Sequence, residues 1–266
     1  VVNLFTEEHA ALTGAREVII QDELNPEESY NVTINYLKKI YLKNGMYFTI
    51  DTSAWYTYFT NAIIPDYDTN PNQIIYSNLD GFSQSSGLSF NIDAVFGSGI
   101  RASIGATYQD VSKTENGIET PQILTEKYSG VWSFSYKHYG TNLTFDYTGS
   151  LYGPMRLPLL GELDPRSEYS TAWSIQNIQI TYDGIDRFEM YGGIKNLLDW
   201  TPNKGNPFII ARSDDPFDQN VVFNNEGNAT PTLDNPYALT FDPSYVYAPN
   251  QGIRLFFGIR YVLNKF

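Results

Sequence analysis

The stretch that most constrains this chain is its last seventeen residues, Asn250 to Phe266, which read NQGIRLFFGIRYVLNKF after Ala248 and Pro249. Leu255, Phe257, Ile259, Tyr261 and Leu263 share one side of an extended strand, and all are apolar. Arg254, Phe256, Gly258, Arg260 and Val262 share the other, which mixes two arginines and a glycine with hydrophobes. A period of two with two different environments is the signature of a strand. The pattern runs almost to the last residue, which is aromatic. Unpaired edges template aggregation, so a soluble protein rarely leaves such a strand at a free terminus. A membrane barrel instead pairs its last strand with its first and keeps no edge.

The same alternation recurs upstream. Val32, Ile34 and Tyr36 alternate with Thr33 and Asn35, and Lys43–Asn44–Gly45 gives a hairpin signal. Phe48, Ile50, Ala54, Tyr56 and Tyr58 then oppose Thr49, Asp51, Ser53 and Thr57, with Trp55 out of pattern. Leu88 to Phe96 and Ile100 to Tyr108 flank Gly97–Ser98–Gly99, and Tyr128 to Tyr136 and Leu143 to Leu151 flank Tyr139–Gly140. Ile178, Ile180 and Tyr182 precede a turn at Asp183–Gly184, with a parity slip near Gln176–Asn177 that suggests a bulge. Phe188, Met190 and Ile194 follow. The pattern predicts about nine strands of roughly 10–14 residues, where soluble strands average about 5–6 and spanning ones need about 9–11. A further short strand at Glu17–Ile20 would make a tenth.

Connection lengths alternate as well. Short turns at 43–45, 97–99, 139–140 and 183–185 alternate with long loops at 65–73, 112–121, 153–167 and 200–249. Outer-membrane barrels pair short periplasmic turns with long extracellular loops. The fold class expected is all-β, an antiparallel transmembrane β-barrel, and the strand from Gln251 descends toward the periplasm.

Composition fits that expectation and narrows the function. Aromatics make up 15% of the chain, with 21 Tyr against 16 Phe, and tyrosine suits the lipid–water boundary. A tyrosine-rich soluble lectin has the same composition. Mean hydropathy is −0.32, and no apolar run is long enough for a spanning helix. The net charge of −13 makes nucleic acid an unsuitable partner. There is no cysteine, hence no disulfide framework and no thiolate metal site. Val1 to Phe5 carries no signal peptide, so the chain is expected to be a piece of something longer.

Three short motifs resemble one family. Gly193–Ile194–Lys195–Asn196–Leu197–Leu198–Asp199 is similar to the G-x-x-N-L-[FL]-D strand of TonB-dependent outer-membrane receptors. The end, Gly252 to Leu263, resembles their closing G-R-x-x-x-x-G-x-x-x-x-F strand. Gly252 and Gly258 keep the spacing, but Ile253 stands where arginine is usual, Leu263 replaces the aromatic, and Asn264–Lys265–Phe266 are appended. Leu24–Asn25–Pro26–Glu27–Glu28–Ser29 is similar to the family's L-x-P-E-x-S. The resemblance implies a Gram-negative outer-membrane importer of a scarce nutrient, with a barrel of about 22 strands around a plug. Residues 1–266 would be the C-terminal part of that barrel. The plug domain, the remaining strands and the segment that engages TonB are expected outside these residues, and the partners implied are these, outer-membrane lipid and an unknown nutrient.

Catalysis finds little footing. His9 and His138 are far apart, no nucleophile clusters with a base, and no cofactor is implied. Asp214–Asp215–Pro216–Phe217–Asp218 lacks the ligand spacing of a calcium loop and reads as a solvated acidic loop. Asp51, Asp93, Arg101, Asp146, Arg187, Glu189, Lys195, Arg254 and Arg260 alternate onto the non-lipid face, where they would pair with one another or with a plug. The stretch from Trp200 to Pro249 is about fifty residues without alternation, and such loops are usually functional or disordered. Its Trp200, Phe208, Arg212, Phe217, Phe223 and Tyr237 are candidates for substrate binding, with self-packing over the barrel mouth as the equal alternative. Arg254, Phe257, Gly258, Tyr261, Leu263 and Phe266 are assigned to the barrel-closing strand. A small self-closed barrel serving as adhesin or structural protein, a soluble sandwich lectin and an outer-membrane hydrolase remain as rival readings.

Overall fold

The computed structural model describes residues 17–21, 23–66, 69, 73–157, 167–202, 222–225, 229–233, 236, 248–249 and 251–263. Its strands are β1 (Glu17–Ile20), β2 (Glu28–Tyr41), β3 (Tyr47–Asn61), β4 (Ile63–Asp66), β5 (Gln73–Asn78), β6 (Gly81–Val95), β7 (Ile100–Glu115), β8 (Ile118–Pro121), β9 (Tyr128–His138), β10 (Leu143–Tyr152), β11 (Trp173–Ile185), β12 (Phe188–Lys195), β13 (Val222–Phe223), β14 (Ala229–Thr230) and β15 (Arg254–Tyr261). Nine of them pair in one path, β2-β3-β6-β7-β9-β10-β11-β12-β15, with β8 added beside β7. Each neighbouring pair in that path is antiparallel.

Register makes the alternation of single strands into a property of the sheet. Ile40, Phe48, Ala94, Ala102, Phe134, Tyr147, Ile178, Ile194 and Leu255 are successive cross-strand partners, one from each of the nine strands. All nine are apolar or aromatic. One residue along lie Lys39, Thr49, Asp93, Ser103, Ser133, Thr148 and Asn177, again successive partners, and the row ends in the facing pair Lys195 and Arg254. Not one of these is apolar. A slip of one residue anywhere would move a strand's hydrophobes to the polar face, so each register is strongly specified.

The apolar face is bare. Leu255, Phe257, Ile259, Ile104, Leu88, Phe90 and Phe145 are all exposed, with Leu255 at 81%. Few apolar residues are buried among those described: two small clusters at the loop end, together with Leu157 and the small Ala94. A sheet that shows hydrophobes on one face and polar groups on the other, with no core between layers, suits hydrocarbon on one side and a wet lumen on the other.

The short turns share one end of the sheet. They lie at the 3-10 turn Lys43–Gly45, at residues 96–99, at 139–142 and at Asp186–Arg187. The fourth differs from expectation: β11 continues through Ile185, the register shifts between Tyr182 and Ile185, and Arg187 takes the left-handed φ of 63° that the turn needs. No bulge occurs at Gln176–Asn177, where pairing with β10 is continuous. The slip there is one of polarity. Gln176 keeps the parity of Ile178 and accepts the Tyr147 hydroxyl at 2.8 Å, while Trp173 and Ile175 turn to the other face to join a rim cluster.

Other expectations are corrected by extra pairing at the loop end. The loop expected at 112–121 is a tight hairpin: β8 folds back on β7 around Asn116 and Gly117, both at positive φ. The loop at 65–73 carries β4 and β5, which continue the β3–β6 hairpin beyond the main sheet. Glu17–Ile20 is a strand, but it pairs in parallel with β5 in a three-stranded sheet and adds nothing to the nine. The closing strand is shorter than expected. β15 ends at Tyr261, so Leu263 lies just past it, and Phe266 lies outside the described residues.

Candidate functional site

Two polar latches hold the loop end of the sheet, and each is built from a motif quoted above. At the first, Asn78 donates its side-chain amide to the Asn25 carbonyl and to Asn61 Oδ1, both at 3.0 Å, and its Oδ1 accepts the Asn25 N–H at 2.8 Å. Asn61 donates to the Pro26 carbonyl at 2.6 Å, and Glu27 Oε1 accepts the Ile63 N–H at 3.0 Å. The segment that enters β2 is thus tied to the top of the β3–β6 hairpin.

The second latch sits where the chain leaves β12 and returns into β15. Asn196 is buried, at 3% exposure, and takes a left-handed φ of 52° that asparagine tolerates better than most residues. Its amide donates to the carbonyls of Trp200 at 2.6 Å and Gln251 at 3.0 Å, and its Oδ1 accepts the Trp200 N–H at 3.1 Å. Asp199, also left-handed, accepts the Ile253 N–H at 2.7 Å. A Cβ at position 252 would collide with that carboxylate, which accounts for Gly252. The two ends of the stretch from Trp200 to Pro249 are therefore fastened to each other at its neck.

An aromatic stack backs the neck. Trp173 lies between Tyr152, at 4.2 Å, and Trp200, at 5.1 Å between ring centroids, with Met155 and Ala248 buried against it. The Trp173 Nε1 is buried with no hydrogen-bond partner among the described residues. Beside the stack, residues 155–157 pair with 168–170 through Met155, Leu157 and Ser170.

The candidate residues fare unequally. Trp200 is half-buried with its ring against Trp173. Phe223 is in β13, which forms a two-residue hairpin with β14. Phe208, Arg212, Phe217 and Tyr237 lie outside the described residues, as do His9 and the acidic run 214–218. Arg254, Phe257, Gly258 and Tyr261 are all in β15, Phe257 bare on the apolar face and Gly258 beneath the Tyr191 ring. Of the charges expected on the polar face, Arg260 pairs with Glu189 at 2.8 Å, while Arg187 lies in the turn before β12 and pairs with its neighbour Asp186 at 3.6 Å. Asp51, Asp93, Arg101, Asp146, Lys195 and Arg254 form no ion pair among the described residues.

Sequence reasoning passed over one recurrent device. Trp55 lies across Gly87, Trp132 across Gly149, Phe256 across Gly193 and Tyr191 across Gly258, each aromatic directly opposite its glycine in the register. This explains Trp55, which broke the polar alternation: its ring lies flat over the glycine, with Nε1 donating to Ser85 Oγ at 3.4 Å. Glycines facing aromatics on predicted neighbouring strands would have been the signal. Outside the spanning strands, the Lys127 ammonium is held above its usual range by its hydrogen bond to Asp110, 3.3 Å away.

Comparison with known proteins adds three findings. Residues 6–197 match the family described as TonB dependent receptor-like, beta-barrel. No curated protein sequence matches the chain. Among solved structures, the ferric-catecholate import receptor Fiu from K12 E. coli aligns over 90% of this chain and 28% of its own, with 10% identity and a TM-score of 0.56. The pyoverdine outer membrane receptor FpvA from Pseudomonas aeruginosa PAO1 aligns over 90% and 30%, with 14% identity and a TM-score of 0.56. The ferric enterobactin receptor PfeA from Pseudomonas aeruginosa aligns over 90% and 31%, with 13% identity and a TM-score of 0.52. The chain spans under a third of each relative.

Proposed function

The chain belongs to the TonB-dependent receptor-like β-barrel family, and we propose that it forms part of the wall and outer rim of an importer for a scarce nutrient in a Gram-negative outer membrane. Members of this family are transporters rather than enzymes. The observation that carries the proposal is the pair of adjacent rows across nine strands, one apolar or aromatic throughout and one without an apolar residue. Such a wall needs lipid on one side and water or protein on the other.

Within that reading, β2 and β15 are the edges of the described sheet. Open edges are not viable in hydrocarbon, so both pair with strands outside these residues, and a plug domain fills the enclosed lumen. In this reading the stretch from Trp200 to Pro249 lies at the outer mouth and captures the nutrient, and the hydrogen bonds that join residues 196 and 199 to 251 and 253 support it. A TonB-engaging segment elsewhere in the full protein couples capture to entry. The solved relatives carry names for ferric catecholate, enterobactin and pyoverdine, so an iron chelate is the first nutrient to test.

The test uses the full-length receptor in a receptor-deficient Gram-negative strain under iron limitation. Energy-dependent uptake of a radiolabelled ferric catecholate or ferric pyoverdine, abolished by a protonophore, supports the proposal. Uptake that persists without energy, or a receptor that fractionates away from the outer membrane, contradicts it.

A further inference from the structure

The polar row ends in two like charges. Lys195 on β12 and Arg254 on β15 are direct cross-strand partners on the lumen face, and both are exposed. Like charges directly opposite each other destabilise a strand pair. Among the described residues no carboxylate pairs with either. Glu189 is taken by Arg260 at 2.8 Å, and Asp183 by Lys137. Asp146 lies one row away and three strands from β15 in the register. Asp199 has one oxygen committed to the Ile253 N–H. The remaining neighbour on the row, Asn177, accepts the Asn196 N–H with its side-chain oxygen and donates to Thr148.

Geometry suits the pair to one kind of ligand. The Lys195 ammonium lies 5.4 Å from the centre of the Phe256 ring, whose position is in turn set by Gly193 beneath it. Arg254 offers a planar fork of donors that matches a carboxylate with two parallel hydrogen bonds. Side by side, the two cations supply donors and charge, and among the described residues no acceptor is bonded to either side chain.

We propose that Lys195 and Arg254 form an oxyanion site on the lumen wall that takes a carboxylate group. This rests on the reading that the polar face lines the lumen. The carboxylate has two sources, a free anion entering from outside or a side chain fixed inside the barrel by the plug or an adjoining strand. A charge-assisted hydrogen bond contributes about 1.5–3 kcal/mol, so losing one weakens binding about tenfold or more.

The experiment takes full-length receptor in detergent at constant ionic strength, with citrate as the probe against chloride. Binding is read by calorimetry and stability by thermal midpoint, for wild type, Lys195→Gln, Arg254→Gln and the double variant, with Arg260→Gln as control. Saturable citrate binding that weakens about tenfold or more in either variant, and not in the control, supports a free anion. No citrate binding, with midpoints that fall in both single variants and fall no further in the double, supports a fixed carboxylate. Citrate binding absent or untouched by the substitutions, together with unchanged or raised midpoints, overturns the proposal. Nutrient uptake is not the readout, so failure of the importer assignment would leave this result standing.

Discussion

The carboxylate of Asp199 accepts the backbone N–H of Ile253 at 2.7 Å across 54 residues of chain. With the Asn196 amide on the Gln251 carbonyl, it turns a sequence motif into a mechanical part. One motif supplies the latch and the other supplies the backbone it holds.

Removing the latch should loosen the neck. Asn196→Ala loses three side-chain hydrogen bonds and puts a Cβ-bearing residue without a polar side chain at a left-handed φ. Asn196→Gly keeps the backbone freedom and loses only the bonds, so it isolates them. Each buried backbone group left unpaired costs about 1–3 kcal/mol. Both variants should lower the thermal midpoint of the full-length receptor and speed limited proteolysis between 200 and 249. Asp199→Asn, which keeps an acceptor for Ile253, should be milder than Asp199→Ala.

The aromatic–glycine pairs should behave as coupled units. A Cβ at Gly87 would fall inside the Trp55 ring, so Gly87→Val should destabilise by about 1–3 kcal/mol through overpacking. Trp55→Ser in the same chain should recover much of that loss. A double-mutant cycle in refolding titrations measures the coupling, and simple additivity would contradict the packing described.

Much of this architecture was legible in the sequence, because a period of two survives wherever a strand separates two solvents. The faces of β3, β6, β7, β9 and β10 follow directly from residues such as Ile104 beside Ser103. What failed did so at the ends. At Trp173 and Ile175 the apolar residues change face because a rim cluster replaces lipid as their partner, which looks like a bulge from the sequence alone. Asn116–Gly117 carried a hairpin signal that was absorbed into a longer loop. The latches were visible as motifs but not as chemistry, since Asn78 and Asn25 meet across a sequence separation of 53.

Charge should discriminate the faces. Ile104 is exposed on the apolar face and Ser103 on the polar one, adjacent in the same strand. Arginine at a lipid-facing midplane costs roughly 2–4 kcal/mol, while lumen substitutions are milder. Ile104→Arg, like Phe257→Arg, should therefore impair folding into detergent or lipid far more than Ser103→Arg. Phe256→Arg is a poorer comparison for Phe257→Arg, because the Phe256 ring also covers Gly193.

Open edges should make the isolated piece fail. Expressed alone and refolded in detergent, residues 1–266 should aggregate or stay unfolded, since β2 and β15 lack outer partners in the described sheet. A heat-resistant, monodisperse monomer of high β content would favour a small self-closed barrel instead.

The two rows themselves can be measured most directly by placing one probe at a time along them. The 266 residues contain no cysteine, so a single Cys introduced into otherwise cysteine-free full-length receptor reports one position. Ala102→Cys and Ser103→Cys are adjacent in β7 and of similar size. In reconstituted vesicles, a fluorophore at 102 should be quenched by brominated lipid, with a thiol there slow toward a charged water-soluble reagent. Position 103 should show the reverse, and the alternation should repeat at Tyr147→Cys and Thr148→Cys in β10. Equal lipid quenching at both members of each pair, or equal reactivity toward the aqueous reagent, would contradict a wall with lipid on one face and lumen on the other.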